Sequence, residues 1–155
     1  MLLVRHKGIV HNVMNDAPFV GAIIIAPTCS RGCEGCINEH LKRQKGFITS
    51  KALDILKEIK NNPFDEGMIL AGLEWTESPK QMLKLIESAI NIFNMKVMIY
   101  TYMTEKEFKN KFPNLFKEKI WVKFGSYNEK LKQDSYYSCG VKLATTNQYI
   151  KLLGE

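Results

Sequence analysis

The chain has no long apolar run, no block of like charge, no internal repeat and no low-complexity linker. The longest apolar stretch near the N-terminus, Gly21 to Pro27, is strand length and far too short to span a bilayer. Met1 to His6 is apolar for only a few residues and has neither the basic region nor the long apolar core of a signal peptide. The expectation is a cytoplasmic protein that does not enter a membrane. The net charge is +6, from 22 Lys and Arg against 16 Asp and Glu, yet no five like charges stand together, so there is no basic tail for nucleic acid. The lysines form a solvated surface with a mild excess between Lys106 and Lys132. The other reading is a basic face that steers an acidic partner such as an electron carrier. With 45% hydrophobic and 25% charged residues the composition excludes disorder, and 155 residues suffice for one domain with a real core. Cysteine is scarce: there are four, and three of them fall within eight residues, a spacing for metal ligands rather than a disulfide frame.

What is present alternates. Gly8 to Met14 is a short strand or a turn region. The β-branched run Gly21 to Ala26 predicts a buried strand, and the cysteine loop follows it directly. Leu53, Leu56 and Ile59 recur at helical spacing, predicting a helix over Thr49 to Asn61 capped by Thr49 or Ser50. Gly67 to Ala71 is a second buried strand. Ser78 to Asn94 is a helix with Pro79 in its first turn and an apolar face of Met82, Leu85, Ile86, Ala89, Ile90 and Phe93. Lys96 to Thr101 is a third strand. Thr104 to Lys111 is a short helix in which Thr104 and Glu107 have capping-box spacing. Ile120 to Phe124 and Gly140 to Ala144 are further strands. This order predicts an α/β fold with a parallel sheet, whose function sits at the C-terminal ends of the strands. The cysteine loop lies at such an end.

That loop reads Cys29-Ser-Arg-Gly-Cys33-Glu-Gly-Cys36. Three thiolates so close converge on one metal centre if the loop curls around it, and Gly32 and Gly35 allow the backbone angles this needs. A structural zinc site closes its tetrahedron with a fourth ligand, and an electron-transfer cluster wants four cysteines. A [4Fe–4S] cluster held by three leaves one iron open to a small molecule. The competing reading takes Cys139, or His40, as a fourth ligand and makes the chain a non-enzymatic metal-binding module. A lone cysteine such as Cys139 is more often a small buried hydrophobe.

The Cys-x3-Cys-x2-Cys spacing resembles that of the radical S-adenosylmethionine superfamily. Within it, the loop Cys33-Glu-Gly-Cys36-Ile-Asn38, with glycine before the last cysteine, resembles the activating proteins of anaerobic (class III) ribonucleotide reductase. The likeness extends to Leu70-Ala-Gly72-Leu73-Glu74, similar to a Gly-Gly-Glu motif with Leu73 for the second glycine and Trp75-Thr76 for Pro-Leu. It continues at Tyr100-Thr101, at Phe124-Gly125-Ser126-Tyr127, where the family's Asp and Lys are missing, and at Thr145-Thr146-Asn147-Gln148. The resemblance implies a partial (βα) barrel with mostly parallel strands, formed by residues 1–155 as one domain. It implies that Cys29, Cys33 and Cys36 hold one [4Fe–4S] cluster and that Gly35, Asn38, Gly72, Glu74, Tyr100, Thr101 and Asn147 contact S-adenosylmethionine, with Glu74 on its amino group. Read without it, Glu74 is a solvated loop carboxylate and Tyr100 a core aromatic.

The same resemblance implies reductive cleavage of S-adenosylmethionine to methionine and a 5′-deoxyadenosyl radical. That radical makes a glycyl radical on the large anaerobic ribonucleotide reductase. The electron comes from a flavodoxin- or ferredoxin-type donor, and neither nucleic acid nor membrane takes part. The departures at Leu73, Trp75 and Phe124 keep a second reading open: a divergent radical enzyme, or the activator of another glycyl-radical protein.

Overall fold

In the computed structural model, which describes residues 2–30, 40–41 and 46–154, two short strands come first, β1 (Leu3–His6) and β2 (Ile9–Val13), followed by β3 (Gly21–Ile25). Strand β4 (Ile48–Lys51) runs straight into helix α1 (Ala52–Asn61), which buries Ala52, Ile55, Leu56 and Ile59. Strand β5 (Gly67–Ala71) is buried at every position, as a strand covered on both faces must be. Helix α2 (Pro79–Asn91) starts on its proline and buries Met82, Leu85, Ile86 and Ala89 along one face. Past its end, Asn94 takes a left-handed φ of 49° before strand β6 (Lys96–Tyr100). Helix α3 (Glu105–Lys111) opens on a complete capping box: Thr104 accepts from the Glu107 N–H, and Glu107 accepts from the Thr104 N–H. Strands β7 (Trp121–Phe124), β8 (Lys132–Ser138), β9 (Val141–Thr145) and β10 (Tyr149–Leu152) complete the chain.

The central sheet has six strands in the order β10-β7-β6-β5-β3-β2. Its middle four, β7, β6, β5 and β3, are parallel, and β2 and β10 run antiparallel at the two edges. Alternate residues of β5 face opposite ways. Met68 and Leu70 join the larger core with α1, α2 and Phe108 of α3, while Ile69 and Ala71 join a smaller core with Val141, Leu143, Ile150, Ala17 and Phe19. Helices therefore cover one face, and the β8–β9 hairpin covers part of the other. Burying a side chain such as Leu70 or Ile69 contributes about 1.5–3 kcal/mol.

The expected partial (βα) barrel with mostly parallel strands is not what forms. Among the described residues ten strands divide among three sheets, with three bounded α-helices. Four of the seven strand pairings among those residues are antiparallel. The physical reason lies outside the middle of the chain. Only β3, β5, β6 and β7 follow the strand–helix rhythm, and antiparallel strands close off both of its edges. The face that a barrel would turn inward is packed by Val141 and Leu143 of a hairpin.

Two boundaries also differ. Thr49 and Ser50, expected as helix caps, lie in β4 opposite Arg5 and Val4 of β1. Helix α1 starts later, at Ala52, and Lys51 provides no side-chain cap. No helix of the described residues is long and apolar enough to cross a membrane.

Candidate functional site

Strand β3 delivers Cys29 to the C-terminal end of the parallel strands. Its pairing with β5 is prolonged by the Ala26 N–H, which donates to the Ala71 carbonyl at 3.0 Å. Beyond it, the two strand ends come close. Gly72 has a φ of +87°, and a Cβ there would lie 2.7 Å from Ile25 Cγ2, so only glycine fits. The segment after Gly72 then grips the cysteine loop: the Glu74 N–H donates to the Thr28 carbonyl at 2.9 Å. Cys29 is half-buried and packs against the larger apolar core. Cys33, Cys36, Gly35 and Asn38 lie outside the described residues.

Glu74 is buried, only 4% exposed. Its Oε2 accepts from the Thr76 hydroxyl at 2.6 Å and the Thr101 hydroxyl at 2.9 Å, with the Thr76 N–H longer at 3.4 Å. Its Oε1 accepts from the Tyr102 N–H at 2.8 Å. Burial pushes the carboxyl above its usual range, and the Thr76, Tyr102 and Thr101 hydrogen bonds pull the other way without cancelling it. Among the described residues no cation pairs with Glu74. A carboxylate offers roughly four acceptor positions, so Oε1, with one donor, has room for another.

Glu77, one turn further on, takes the next residue of the loop. Its two oxygens accept from the Ser30 N–H, each at 3.0 Å, and Oε2 also accepts from the Ser30 hydroxyl at 2.8 Å and the Tyr102 hydroxyl at 2.9 Å. Burial alone would raise this carboxyl. The Ser30 and Tyr102 hydrogen bonds and the charge of Lys111 outweigh it and hold the carboxyl below its usual range. The Tyr102 hydroxyl is pushed up to about 12 by burial first and by Glu77 next.

The remaining expected residues divide. Thr101 joins Glu74 directly. Tyr100 points elsewhere: its hydroxyl donates to the Asp16 carbonyl at 2.6 Å, and its ring packs with the smaller core. Asn147 lies in the turn between β9 and β10, where its Nδ2 donates to the Ser126 carbonyl at 2.8 Å and its Oδ1 accepts from the Thr145 hydroxyl at 2.7 Å. Gly125 allows this approach with a φ of +100°, since a Cβ would sit 3.1 Å from the Asn147 carbonyl oxygen. Asn147 and Gly125 line a pocket of about 220 Å³ together with Phe124, Tyr149 and Tyr102. Tyr102 thus borders both the pocket and the Glu77 carboxylate. The departures from the family motif have a packing role: Leu73 and Trp75 are core residues, and the Trp75 Nε1 donates to the Ile24 carbonyl at 3.0 Å.

Sequence reasoning missed Glu77 and Tyr102. The available signal was position: each lies in the segment that follows a parallel strand, within three residues of a residue already singled out, Glu74 or Thr101. The alternative fourth ligands lie apart from Cys29. Cys139 sits in the β8–β9 turn, and its thiol donates to the Ile150 carbonyl of β10 at 3.4 Å, at the far edge of the sheet from β3. His40 is exposed.

Among the described residues no three His, Cys, Asp or Glu side chains are grouped to hold a metal ion. A half-buried thiol against an apolar core, with two more thiols within eight residues, fits an iron–sulfur group. A family model described as a 4Fe-4S single cluster domain matches residues 20–147, a span that takes in all three clustered cysteines, Glu74, Glu77, Tyr102 and Asn147. The family is found in radical S-adenosylmethionine-type proteins. Curated proteins offer no match.

Proposed function

Because the chain belongs to the 4Fe-4S single cluster domain family, we propose that it is a radical S-adenosylmethionine enzyme that activates an anaerobic ribonucleotide reductase. Cys29, Cys33 and Cys36 hold one cluster. When bound, that cluster supplies a single electron and an open iron for the methionine end of the cofactor. The products are methionine and a 5′-deoxyadenosyl radical, which takes a hydrogen atom from a glycine Cα of the reductase and leaves as 5′-deoxyadenosine.

The observation that carries this reading is Glu74. A buried carboxylate surrounded by neutral donors, beside the cysteine loop, with a free acceptor position, suits the ammonium group of an amino acid. Thr76 and Thr101 hold its Oε2 and so aim its Oε1. Gly72 keeps side chains away from the same strand end. Asn147 and Gly125 border the pocket that would receive the rest of the cofactor, and Asn38, Gly35 and the neighbourhood of Tyr100 complete the contacts in this proposal. No residue is needed as general acid or base, because hydrogen-atom abstraction moves proton and electron together. The net charge of +6 suits an acidic flavodoxin- or ferredoxin-type donor.

The test mixes the reduced protein, S-adenosylmethionine and an anaerobic ribonucleotide reductase large subunit, without oxygen. Electron paramagnetic resonance is expected to show a glycyl doublet on the reductase, with 5′-deoxyadenosine formed alongside. Failure to form 5′-deoxyadenosine on reduction overturns the proposal. Cofactor cleavage without a protein radical moves the function to a second reading, a radical enzyme with another target. That reading is favoured by Leu73 and Trp75, which fill the core where the family motif has Gly and Pro.

A further inference from the structure

Cys29 is bracketed. On one side the Thr28 carbonyl is held by the Glu74 N–H, and on the other the Ser30 N–H is held by both oxygens of Glu77. These residues are 46 and 47 positions apart in the chain, so neither grip is a local turn. The Ser30 hydroxyl adds a third bond to the same carboxylate, and the Tyr102 hydroxyl adds a fourth from the end of β6. A carboxylate gripped by four hydrogen bonds from three donor groups has little freedom to turn.

We infer that Glu77 is a positioning residue for the iron–sulfur centre: it locks the backbone just past Cys29 to the short turn Trp75–Glu77 that follows β5 and places a fixed negative charge beside the cysteine loop. The inference rests on cluster binding alone and is independent of what the cluster does. Groups behind the ligands of a metal site orient those ligands and tune the metal, and their loss typically weakens binding by about 10–100-fold. Negative charge near a cluster disfavours the reduced form, because the reduced cluster carries one more electron. Tyr102 has a lesser part, since its hydroxyl is one bond of the four.

The experiment is anaerobic reconstitution of the full chain with iron and sulfide, without S-adenosylmethionine or partner. Variants are Glu77→Gln, Glu77→Asp, Glu77→Ala and Tyr102→Phe, each checked by thermal melting before reconstitution. Glu77→Gln keeps the size and removes the charge. It is expected to fold and to bind iron, to show a midpoint potential more positive than the parent, and to lose iron to a chelator about tenfold faster. Glu77→Asp restores the charge but shortens the reach, so the potential returns toward the parent while chelator resistance does not. Glu77→Ala loses iron fastest, and Tyr102→Phe shifts the potential least. A Glu77→Gln protein with the parent's potential and the parent's rate of iron loss overturns the inference. Because no cofactor cleavage is measured, that outcome is separate from failure of the proposed activity: a shifted potential with no cleavage leaves Glu77 in its role and removes the enzyme reading.

Discussion

Carboxylates at the N-terminal end of the parallel strands meet cations, whereas Glu74 at the C-terminal end meets hydroxyls and backbone N–H groups. His11 of β2 stands between Asp65, 2.6 Å from Nδ1, and Glu58, 2.8 Å from Nε2. Both ring nitrogens can donate to these partners only when the imidazole is charged. The Asp65 hydrogen bond is the chief reason its pKa is raised; burial opposes, and Glu58 adds to the rise. Next to them Lys96 pairs with Glu66 at 2.9 Å. These groups are complete in themselves. Glu74, deeper and without a cation among the described residues, is left in an environment that raises its pKa. The difference teaches where to look for a ligand: a carboxylate already paired has little to gain, whereas a buried one with only neutral donors gains from a cation supplied by a ligand.

The largest effect that would sharpen this contrast is at the C-terminal end. Changing Cys29, Cys33 or Cys36 singly to Ala is expected to abolish the cluster, read as iron content and visible absorbance after anaerobic reconstitution. Cys139→Ala, at the opposite edge of the sheet, keeps both. Equal loss in Cys139→Ala would restore the four-ligand reading and remove the open iron. Next comes Glu74→Ala, which leaves cluster absorbance intact and weakens S-adenosylmethionine binding by about tenfold or more, the loss of a charge-assisted hydrogen bond of roughly 1.5–3 kcal/mol. Unchanged affinity by anaerobic calorimetry would take Glu74 out of the site.

At the N-terminal end the effects are smaller and belong to stability. His11 holds its proton more tightly folded than unfolded. Its contribution is therefore full below the unfolded value, about 6.5, and fades as pH rises through the raised native value. His11→Asn should lower the urea midpoint at pH 5.5 by an amount worth on the order of 1 kcal/mol, and by less at pH 9. An equal loss at both values would mean that the imidazole matters for packing and not for charge. Smallest of all is Lys96→Ala. Its exposed pair with Glu66 is screened by water and salt, so the melting temperature is expected to stay where it is. A clear drop would show that the two ends differ less than their geometry indicates.

Part of the fold is legible in the residues alone. The strand Gly67–Ala71 has the bounds read from its apolar run, and β3, β6 and β7 differ from expectation by a residue at one end. Helix α3 begins where Thr104 and Glu107 predict. These features announce themselves within a few residues, because burial on both faces demands a continuous apolar run and a cap demands a side chain at a set distance. Strand β8, Lys-Gln-Asp-Ser-Tyr-Tyr-Ser, is polar and mostly exposed, so it has no apolar alternation to betray it. It is a strand only because β9 pairs with it.

By itself the sequence determined the chemistry in reach and the middle of the sheet: three closely spaced thiols after one apolar run, a carboxylate after the next, and helices between them. Only the tertiary structure decided how that middle is finished. Pairing of β1 with β4 joins Val4 to Ser50, and the Ser30–Glu77 clamp spans 47 residues. Each such contact depends on two distant segments arriving together, and neither segment carries the other's address in its own composition. The antiparallel edges and the hairpin over the second face follow from the same cause. Periodicity says which side of a strand is apolar, while the identity of what covers that side is settled by the rest of the chain in space.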